Sequence, residues 1–290
     1  MKIAVCYSGN VRNMPDLIDN HKKNLLDVND CDVYFNFWDH YGLSLRTACF
    51  NCTPENEKIL RCGVVKEDLI TDEHKNFLLE NYKPVKVEYE NYNNLLYRFE
   101  KLTSRMQEKH ARPYYRNVVS MFYKIWKCNE MIQGKYDVIL RIRPDMVFRN
   151  PMKFLYPEQN TIYTDHNEAR SLPNCNGCND IFAYGNKQSI DAYSRLYLNW
   201  SEYEKMHHLL CTENAVLHKN RYGDDLSFFN LGSRWSGEII LKIHLLYEKI
   251  NIVNDINWFL NYNVHSELYT LKDVENTNKY INNIKTNLAI

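Results

Sequence analysis

Residues 136–148, Y-D-V-I-L-R-I-R-P-D-M-V-F, constrain the fold of this chain more than any other segment. Residues 138–140 form a short apolar run that is typical of a buried central strand. Two arginines and an aspartate follow at once, namely Arg141, Arg143 and Asp145. In open α/β sheets ligands bind at the edge where such strands end. The segment therefore predicts a strand that carries charge to a ligand-binding edge, although a purely structural ion pair between Arg143 and Asp145 explains the same residue types.

Composition excludes several classes of protein. The chain has 290 residues, with 44% apolar and 25% charged residues, as in ordinary globular domains. Lys plus Arg and Asp plus Glu both number 36, so the net charge is zero, which disfavours binding to nucleic acid. No run of about 18 apolar residues is present, so no transmembrane segment is expected. The first residues read as a strand rather than a signal peptide, which predicts a cytoplasmic protein.

The nine cysteines are expected to be reduced thiols, because their number is odd and no secretion signal precedes them. Two C-x-x-C pairs, Cys49 with Cys52 and Cys175 with Cys178, would together make a four-thiolate zinc site, with Cys62 as a spare ligand. More than a hundred residues separate the pairs, and neither has the neighbours of a redox motif. The spacing therefore disfavours zinc without removing it.

The N-terminal residues form a β-α-β pattern, which implies parallel strands joined by a right-handed crossover. The pattern comprises a strand at 2–7, a helix at 15–26 that starts at a proline, and an aromatic strand at 32–38. Downstream, periodicity predicts helices at 72–81, 114–133, 187–199, 203–219 and 238–249, and strands at 85–89, 137–140, 161–165, 181–184 and 252–253.

These elements predict a single α/β domain over residues 1–290. Its central sheet is Rossmann-like, mostly parallel and flanked by helices, and its C-terminal part is irregular and helical. Residues 91–113 are polar and basic and read as a loop or a short helix. The tail at 271–290 is rich in Asn and Lys and is expected to pack weakly.

The loop after the first strand is a candidate anion site. Gly9 lets a ligand approach the backbone beside Ser8, and Arg12 can neutralise a phosphate. The loop is neither a P-loop nor a G-x-G-x-x-G fingerprint, which disfavours NAD and FAD. A simple tight turn explains Ser8 and Gly9 as well.

Further candidates stand near the ends of other predicted strands. Trp38 and Asp39 end the second strand, where an indole can stack on a base and an acid can bind a ribose hydroxyl, or where both simply cap the strand. Asp180 precedes the strand I-F-A-Y-G, and Glu238 opens an amphipathic helix, a position that the helix dipole alone explains. His265 is a late candidate metal ligand, with an ordinary histidine as the alternative.

The ordered set of segments resembles the GT-A-type glycosyltransferases, in particular poorly characterised polysaccharide and lipopolysaccharide-type enzymes of bacteria and large DNA viruses. The resemblance covers roughly residues 1–250, and no single motif in it is decisive. Besides residues 136–148, the segments are I-A-V-C-Y-S-G-N-V-R, C-D-V-Y-F-N-F-W-D, S-M-F-Y-K-I-W-K-C, N-D-I-F-A-Y-G and S-G-E-I-I-L-K-I-H-L.

The resemblance implies a nucleotide-sugar-binding half over about 1–150 and an acceptor-binding half over about 151–270. In GT-A enzymes an Asp-x-Asp motif binds Mn²⁺ or Mg²⁺, which bridges the diphosphate of the donor. The matching place here is Arg143-Pro144-Asp145, with arginine where the first aspartate would stand, so Asp145 would reach the cation alone and Arg143 would take part of the diphosphate charge.

The resemblance implies transfer of a sugar from a nucleotide-diphosphate sugar to a hydroxyl of a glycan, glycoprotein or lipid-linked acceptor. Such a reaction builds negative charge on the leaving diphosphate, which Arg12, Arg141 and Arg143 would stabilise. An inverting enzyme also needs a carboxylate base, for which Glu238 is slightly preferred over Asp180.

Two other functions remain open from the sequence. A nucleotidyltransferase that makes sugar nucleotides uses a similar sheet but usually has a glycine-rich, basic loop after its first strand. A non-catalytic module that binds nucleotides or sugars needs the same cleft, but it needs no carboxylate that acts as a catalytic base.

Overall fold

The computed structural model describes residues 1–12, 14–40, 69–103, 112–164, 178–202, 237–254 and 262–264. The strands are β1 Lys2–Gly9, β2 Asp30–Trp38, β3 Lys86–Glu90, β4 Val138–Ile142, β5 Met146–Phe148, β6 Thr161–Thr164, β7 Phe182–Gly185, β8 Asn251–Asn254 and β9 Tyr262–Val264. The helices are α1 Ile18–His21, α2 Asp72–Tyr82, α3 Leu96–Leu102, α4 Arg112–Glu130, α5 Lys187–Ser194 and α6 Gly237–Tyr247.

Seven strands form one sheet in the order β3-β2-β1-β4-β7-β6-β8. All neighbours are parallel except at β7, which runs antiparallel to both β4 and β6. The predicted α/β class, with a mostly parallel central sheet flanked by helices, is therefore confirmed. The parallel pairing of β1 with β2 confirms the N-terminal β-α-β unit. A second, two-stranded sheet joins β5 to β9.

The core lies on both faces of this sheet because strand side chains alternate between faces. On β1, Ala4 and Cys6 belong to the cluster that packs against α4, whereas Val5 and Tyr7 belong to the cluster on the opposite face. All four side chains are almost fully buried. A continuous apolar run in the sequence thus reflects a strand covered on two sides.

Local signals set several helix ends. The hydroxyl of Thr71 accepts a hydrogen bond from the backbone N–H of His74 at 3.2 Å and starts α2. Lys83 takes a left-handed conformation, with φ of 46°, and ends it. Helix α4 buries Val118 and Phe122 on its predicted stripe but ends at Glu130, before residue 133.

The structure differs from the sequence prediction in several other elements. Helix α5 ends at Ser194 and continues as a tight turn over Arg195–Tyr197 instead of reaching residue 199. Residues 91–113 contain α3, so the short-helix alternative applies to part of them. Strands β5 and β9 were not predicted, because three residues are too few for a periodic signal. The helix predicted at 203–219 lies outside the described residues.

Within the part of the chain that the structure describes, no helix combines the length and apolarity needed to cross a membrane.

Candidate functional site

The loop after β1 turns sharply at the carboxyl edge of the sheet. Gly9 has φ of +108° and Arg12 has φ of +53°, and both values lie in the left-handed region. Glycine adopts this region freely, whereas an arginine there costs about 1 kcal/mol or more. Ser8 is buried, and its hydroxyl has no hydrogen-bond partner among the described residues. The turn directs Arg12 across to the end of β4.

Asp145 lies in the turn between β4 and β5 and pairs with two arginines. Its Oδ2 accepts a hydrogen bond from Nη1 of Arg12 at 2.7 Å and from Nη2 of Arg143 at 3.0 Å. Its Oδ1 accepts from Nε of Arg143. The carboxylate is 1% exposed, whereas the arginine side chains are 23% and 19% exposed. Three residues named from the sequence therefore meet in one place, although 133 positions separate Arg12 from Asp145.

The charges of Arg143 and Arg12 shift the pKa of the Asp145 carboxyl group. Burial raises its pKa, but the positive charges of Arg143 and Arg12 outweigh burial and hold the pKa below its ordinary value. Asp145 is therefore an ionised acceptor that aligns two guanidinium groups, each of which keeps an exposed part. A bidentate guanidinium is suited to phosphate oxygens in geometry as well as in charge.

Arg141 lies in β4, two residues before Arg143, which follows the end of the strand, and Arg141 is 2% exposed. All three of its guanidinium nitrogens are buried, and none has a hydrogen-bond partner among the residues that the structure describes. Asp180 and Tyr193 act on it only through their electrostatic fields.

The two candidate bases lie on the helical side of the same site. The Oδ2 atom of Asp180 would be 3.4 Å from a Cβ added to Gly237, the first residue of α6. The backbone carbonyl of Glu238 accepts a hydrogen bond from the N–H of Cys178 at 2.9 Å. The Glu238 charge also acts on Arg143. Burial raises the pKa of Asp180, and the fields of Arg141, Arg143 and Arg12 oppose that shift.

Trp38 lies in the core rather than in a cleft, which corrects the expectation that it stacks on a base. Its side chain is 2% exposed. The ammonium group of Lys124 lies 4.1 Å from the ring centroid, and Tyr123 stacks on the indole at 5.8 Å. At this degree of burial the indole is not accessible to a ligand in the described structure.

Asp39 follows Trp38 at the carboxyl edge of β2. Its carboxylate accepts a hydrogen bond from Nδ2 of Asn91 at 2.9 Å. The position at a strand end is the one expected from the sequence. A ribose-binding role for Asp39 stays a prediction.

Sequence reasoning missed a buried lysine beside this edge. Lys124 is fully buried, and its ammonium group donates to the carbonyl of Phe37 at 2.8 Å and to Glu90 at 2.6 Å. Burial lowers its pKa to about 8, against the opposing effect of Glu90. The predicted apolar stripe of α4 does not include Lys124, so the helical pattern gave no signal of its burial.

The metal-site predictions fall mostly on residues that the structure does not describe. His265 and the cysteines at 49, 52, 62 and 175 lie outside the described residues. Cys178 is fully buried, and burial raises the pKa of its thiol. Among the described residues, no three His, Cys, Asp or Glu side chains are grouped so that they could hold a metal ion.

Comparisons with known proteins give little further information. No protein-family model matches the sequence, and no curated protein matches it either. Among solved structures, the chain is similar to mouse xyloside xylosyltransferase 1 in its apo form, at 10% identity and a TM-score of 0.37. That likeness covers 88% of this chain and 84% of the mouse chain. We draw no conclusion about activity from a likeness of this size.

Proposed function

We propose that this chain is a glycosyltransferase that moves a sugar from a nucleotide-diphosphate sugar to a hydroxyl of a glycan or glycoconjugate acceptor. One observation carries the proposal: Arg12 and Arg143 are aligned by Asp145 at the carboxyl edge of the sheet, with two carboxylates beside them. The segments that resemble GT-A enzymes contain all of these residues. We propose residues 1–150 as the donor-binding half and about 151–270 as the acceptor-binding half of one domain.

Arg12 and Arg143 would stabilise the leaving group. As the bond between the sugar and the diphosphate breaks, negative charge builds on the phosphate oxygens while positive charge builds on the sugar. Aligned guanidinium groups stabilise that negative charge without reorganising, because Asp145 already fixes their positions. The exposed part of each arginine is available to the diphosphate.

A carboxylate must accept the proton of the acceptor hydroxyl if transfer occurs in one displacement. We propose Glu238 for this role, because it lies at the start of α6 and its charge helps to raise the pKa of Arg143. Asp180, whose pKa is raised by burial, is the second candidate. Replacing each by its amide, Glu238→Gln and Asp180→Asn, separates the two through the rate of sugar transfer.

The Mn²⁺ or Mg²⁺ that the resemblance implies does not fit the described residues. Both oxygens of Asp145 accept hydrogen bonds from arginines, so a cation there would have to displace a guanidinium group. We propose instead that the two arginines supply the positive charge at the diphosphate.

A thermal-shift titration with UDP and GDP, with and without Mn²⁺, tests the donor site. At a hundred times its dissociation constant a ligand stabilises a protein by about 2.7 kcal/mol. We expect one of the two nucleotides to stabilise the wild type without added metal and the Arg143→Ala variant to bind it about tenfold or more weakly. Arg195→Ala, which removes an arginine paired with Glu248 at the surface, is the matched control and should bind normally. Stabilisation only with Mn²⁺ would contradict the role of the arginines.

Product analysis separates the proposal from its alternatives. A glycosyltransferase releases a nucleoside diphosphate from the sugar nucleotide, even when water is the acceptor. A nucleotidyltransferase needs pyrophosphate to consume the same compound and forms a nucleoside triphosphate. A binding module leaves the sugar nucleotide intact.

A further inference from the structure

Strand β5 begins directly after Asp145, and its backbone needs partners on two edges. It pairs antiparallel with β9 along one edge. Successive residues of an antiparallel strand bind the partner strand and turn away from it in alternation. Met146 and Phe148 are 0% and 1% exposed. Their backbone groups that face away from β9 are therefore buried and have to find hydrogen bonds elsewhere.

Three polar side chains from the helical segment after β1 supply those hydrogen bonds. The amide of Asn20 binds both backbone groups of Phe148, since Nδ2 donates to the carbonyl at 2.8 Å and Oδ1 accepts from the N–H at 2.8 Å. Nδ2 of Asn24 donates to the same carbonyl at 3.1 Å. Nε2 of His21 donates to the carbonyl of Met146 at 2.6 Å. The side chains thus take the place that a neighbouring strand has in an ordinary sheet.

These contacts, called the α1–β5 clamp below, join the two segments that carry the ion pair of the site. Asn20 and His21 lie in α1, and Asn24 lies in the π-helical turn that continues α1. The chain enters α1 a few residues after Arg12, and it enters β5 directly after Asp145. The clamp therefore fixes the turn of Asp145 relative to the loop of Arg12, whose Nη1 donates to Oδ2 of Asp145 at 2.7 Å.

We infer that Asn20, His21 and Asn24 are positioning residues, which hold the turn of Asp145 at hydrogen-bonding distance from Arg12 and so align the guanidinium groups for a diphosphate. The strength of a hydrogen bond falls steeply with a longer distance or a poorer angle. A misplacement of about 1 Å can lower the rate of a reaction roughly a hundredfold. The consequence for nucleotides rests on the proposed function, whereas the coupling of the clamp to the ion pair is a property of the folded chain.

A double-mutant cycle in urea unfolding tests that coupling without any ligand. Arg12→Met leaves the buried carboxylate of Asp145 with one donor fewer and should lower the urea midpoint. We expect Asn20→Ala to reduce this shift to about half or less, because displacement of β5 already loosens the pair. Asn24→Ala should reduce it less, because the carbonyl of Phe148 keeps its bond from Asn20. This milder variant also serves if Asn20→Ala does not fold.

Asn29→Ala is the matched control for the cycle. Nδ2 of Asn29 donates to the carbonyls of Leu25 at 2.8 Å and Met152 at 3.1 Å, so the same change removes hydrogen bonds to residues further along the chain from Asp145. The Arg12→Met shift should be the same in this background as in the wild type.

Isothermal titration calorimetry with UDP and GDP, without added metal, tests the consequence for the proposed donor site. We expect Asn20→Ala to weaken the nucleotide that binds by about tenfold in the wild type and by less than about twofold in Arg12→Met. Asn29→Ala should bind normally. A contribution of Asn20 to stability alone has no reason to depend on Arg12.

The outcomes separate the inference from the proposed function. Equal midpoint shifts for Arg12→Met in all four backgrounds would overturn the inference, and binding of UDP or GDP to the wild type would leave the proposed function standing. A coupled cycle with no nucleotide bound to the wild type would support the positioning of the pair and remove the donor site. A loss of affinity in Asn20→Ala that is as large with Arg12→Met as without it would show that Asn20 does not act through Arg12, which also overturns the inference.

Discussion

At the scale of single residues, the site depends on which charges have partners. Asp145 is buried, yet it stays ionised because two guanidinium groups donate to it. Arg141 is buried to the same degree and has no hydrogen bond among the described residues. Equal burial therefore has different energetic consequences, because hydrogen bonds offset the desolvation of Asp145 but not that of Arg141.

His21 is a buried group that contacts the backbone next to Asp145 through a hydrogen bond. Its Nε2–H donates to the carbonyl of Met146 at 2.6 Å, and its Nδ1 accepts a hydrogen bond from the hydroxyl of Tyr82 at 2.8 Å. Met146 is the residue directly after Asp145. Since a carbonyl can only accept, Nε2 carries a proton, and burial favours the neutral form of the ring against the opposing effect of this hydrogen bond.

Acid should destabilise the protein through His21. Burial lowers the pKa of His21 to about 4, from 6.5. Between these values the unfolded chain binds more protons than the folded one, so the stabilisation is complete above pH 6.5 and is lost as the pH falls towards 4. We expect the wild type to lose about 3 kcal/mol more free energy of unfolding between pH 7 and pH 4 than His21→Gln does, measured by urea unfolding at each pH. His74→Gln, at an exposed position on α2, should follow the wild type, and an identical pH dependence in His21→Gln would refute the assignment.

At the scale of elements, the start of α6 brings the candidate base to the sheet edge. Gly237 packs so closely on α4 that an added Cβ would lie 2.9 Å from Cγ1 of Val118. Asp180 occupies the remaining space at 3.4 Å. The absence of a side chain at Gly237 therefore sets how near Glu238 comes to the arginines.

Substitution of Gly237 should displace α6 from α4. We expect Gly237→Ala to destabilise the protein by about 1–3 kcal/mol, because the new methyl group overlaps Val118, and to slow sugar transfer. Val118→Ala removes the overlapping methyl group, so the double variant should be more stable than the sum of the two single changes predicts, as measured by denaturant unfolding. Val119→Ala, also buried on α4, is the control and should be additive with Gly237→Ala. Additive behaviour of both pairs would mean that contact with Val118 is not the source of the strain.

At the scale of the whole molecule, the best-buried strands lie at the centre of the sheet and the proposed site lies at its carboxyl edge. Strand β1 pairs with β2 on one side and β4 on the other, and its residues 3–9 are buried. Strand β3 ends the sheet order, and all of its residues are only half-buried. Arg141 lies in β4, and Arg12 and Arg143 follow the ends of β1 and β4, which are both paired on two sides.

Hydrogen exchange should follow this gradient. The amides of β1 and β4 should exchange only through global unfolding, whereas those of β3 should exchange through local opening of the edge. Native-state exchange followed by mass spectrometry at several urea concentrations measures both free energies. Exchange of β3 at the same free energy as β1 would show that the sheet opens as one unit and would contradict the gradient.

The prediction of the fold succeeded where a signal was local. The apolar runs of β1 and β4, the stripe on α4 and the turn at Gly9 are each visible within a few neighbouring residues. The prediction was less successful where the outcome depends on distant neighbours. Trp38 looked suited to a ligand because it ends a strand, but Lys124 and Tyr123 cover it.

The sequence by itself determined the order of most strands and helices and placed charged residues after the apolar runs, because side-chain periodicity and turn residues act over short distances. Only the tertiary structure decided that β7 runs antiparallel, that Arg12 reaches Asp145 and that Arg141 is buried without a hydrogen bond within the described chain. Strand direction and charge pairing are set by contacts between residues far apart in the chain, and those contacts exist only once the core has formed.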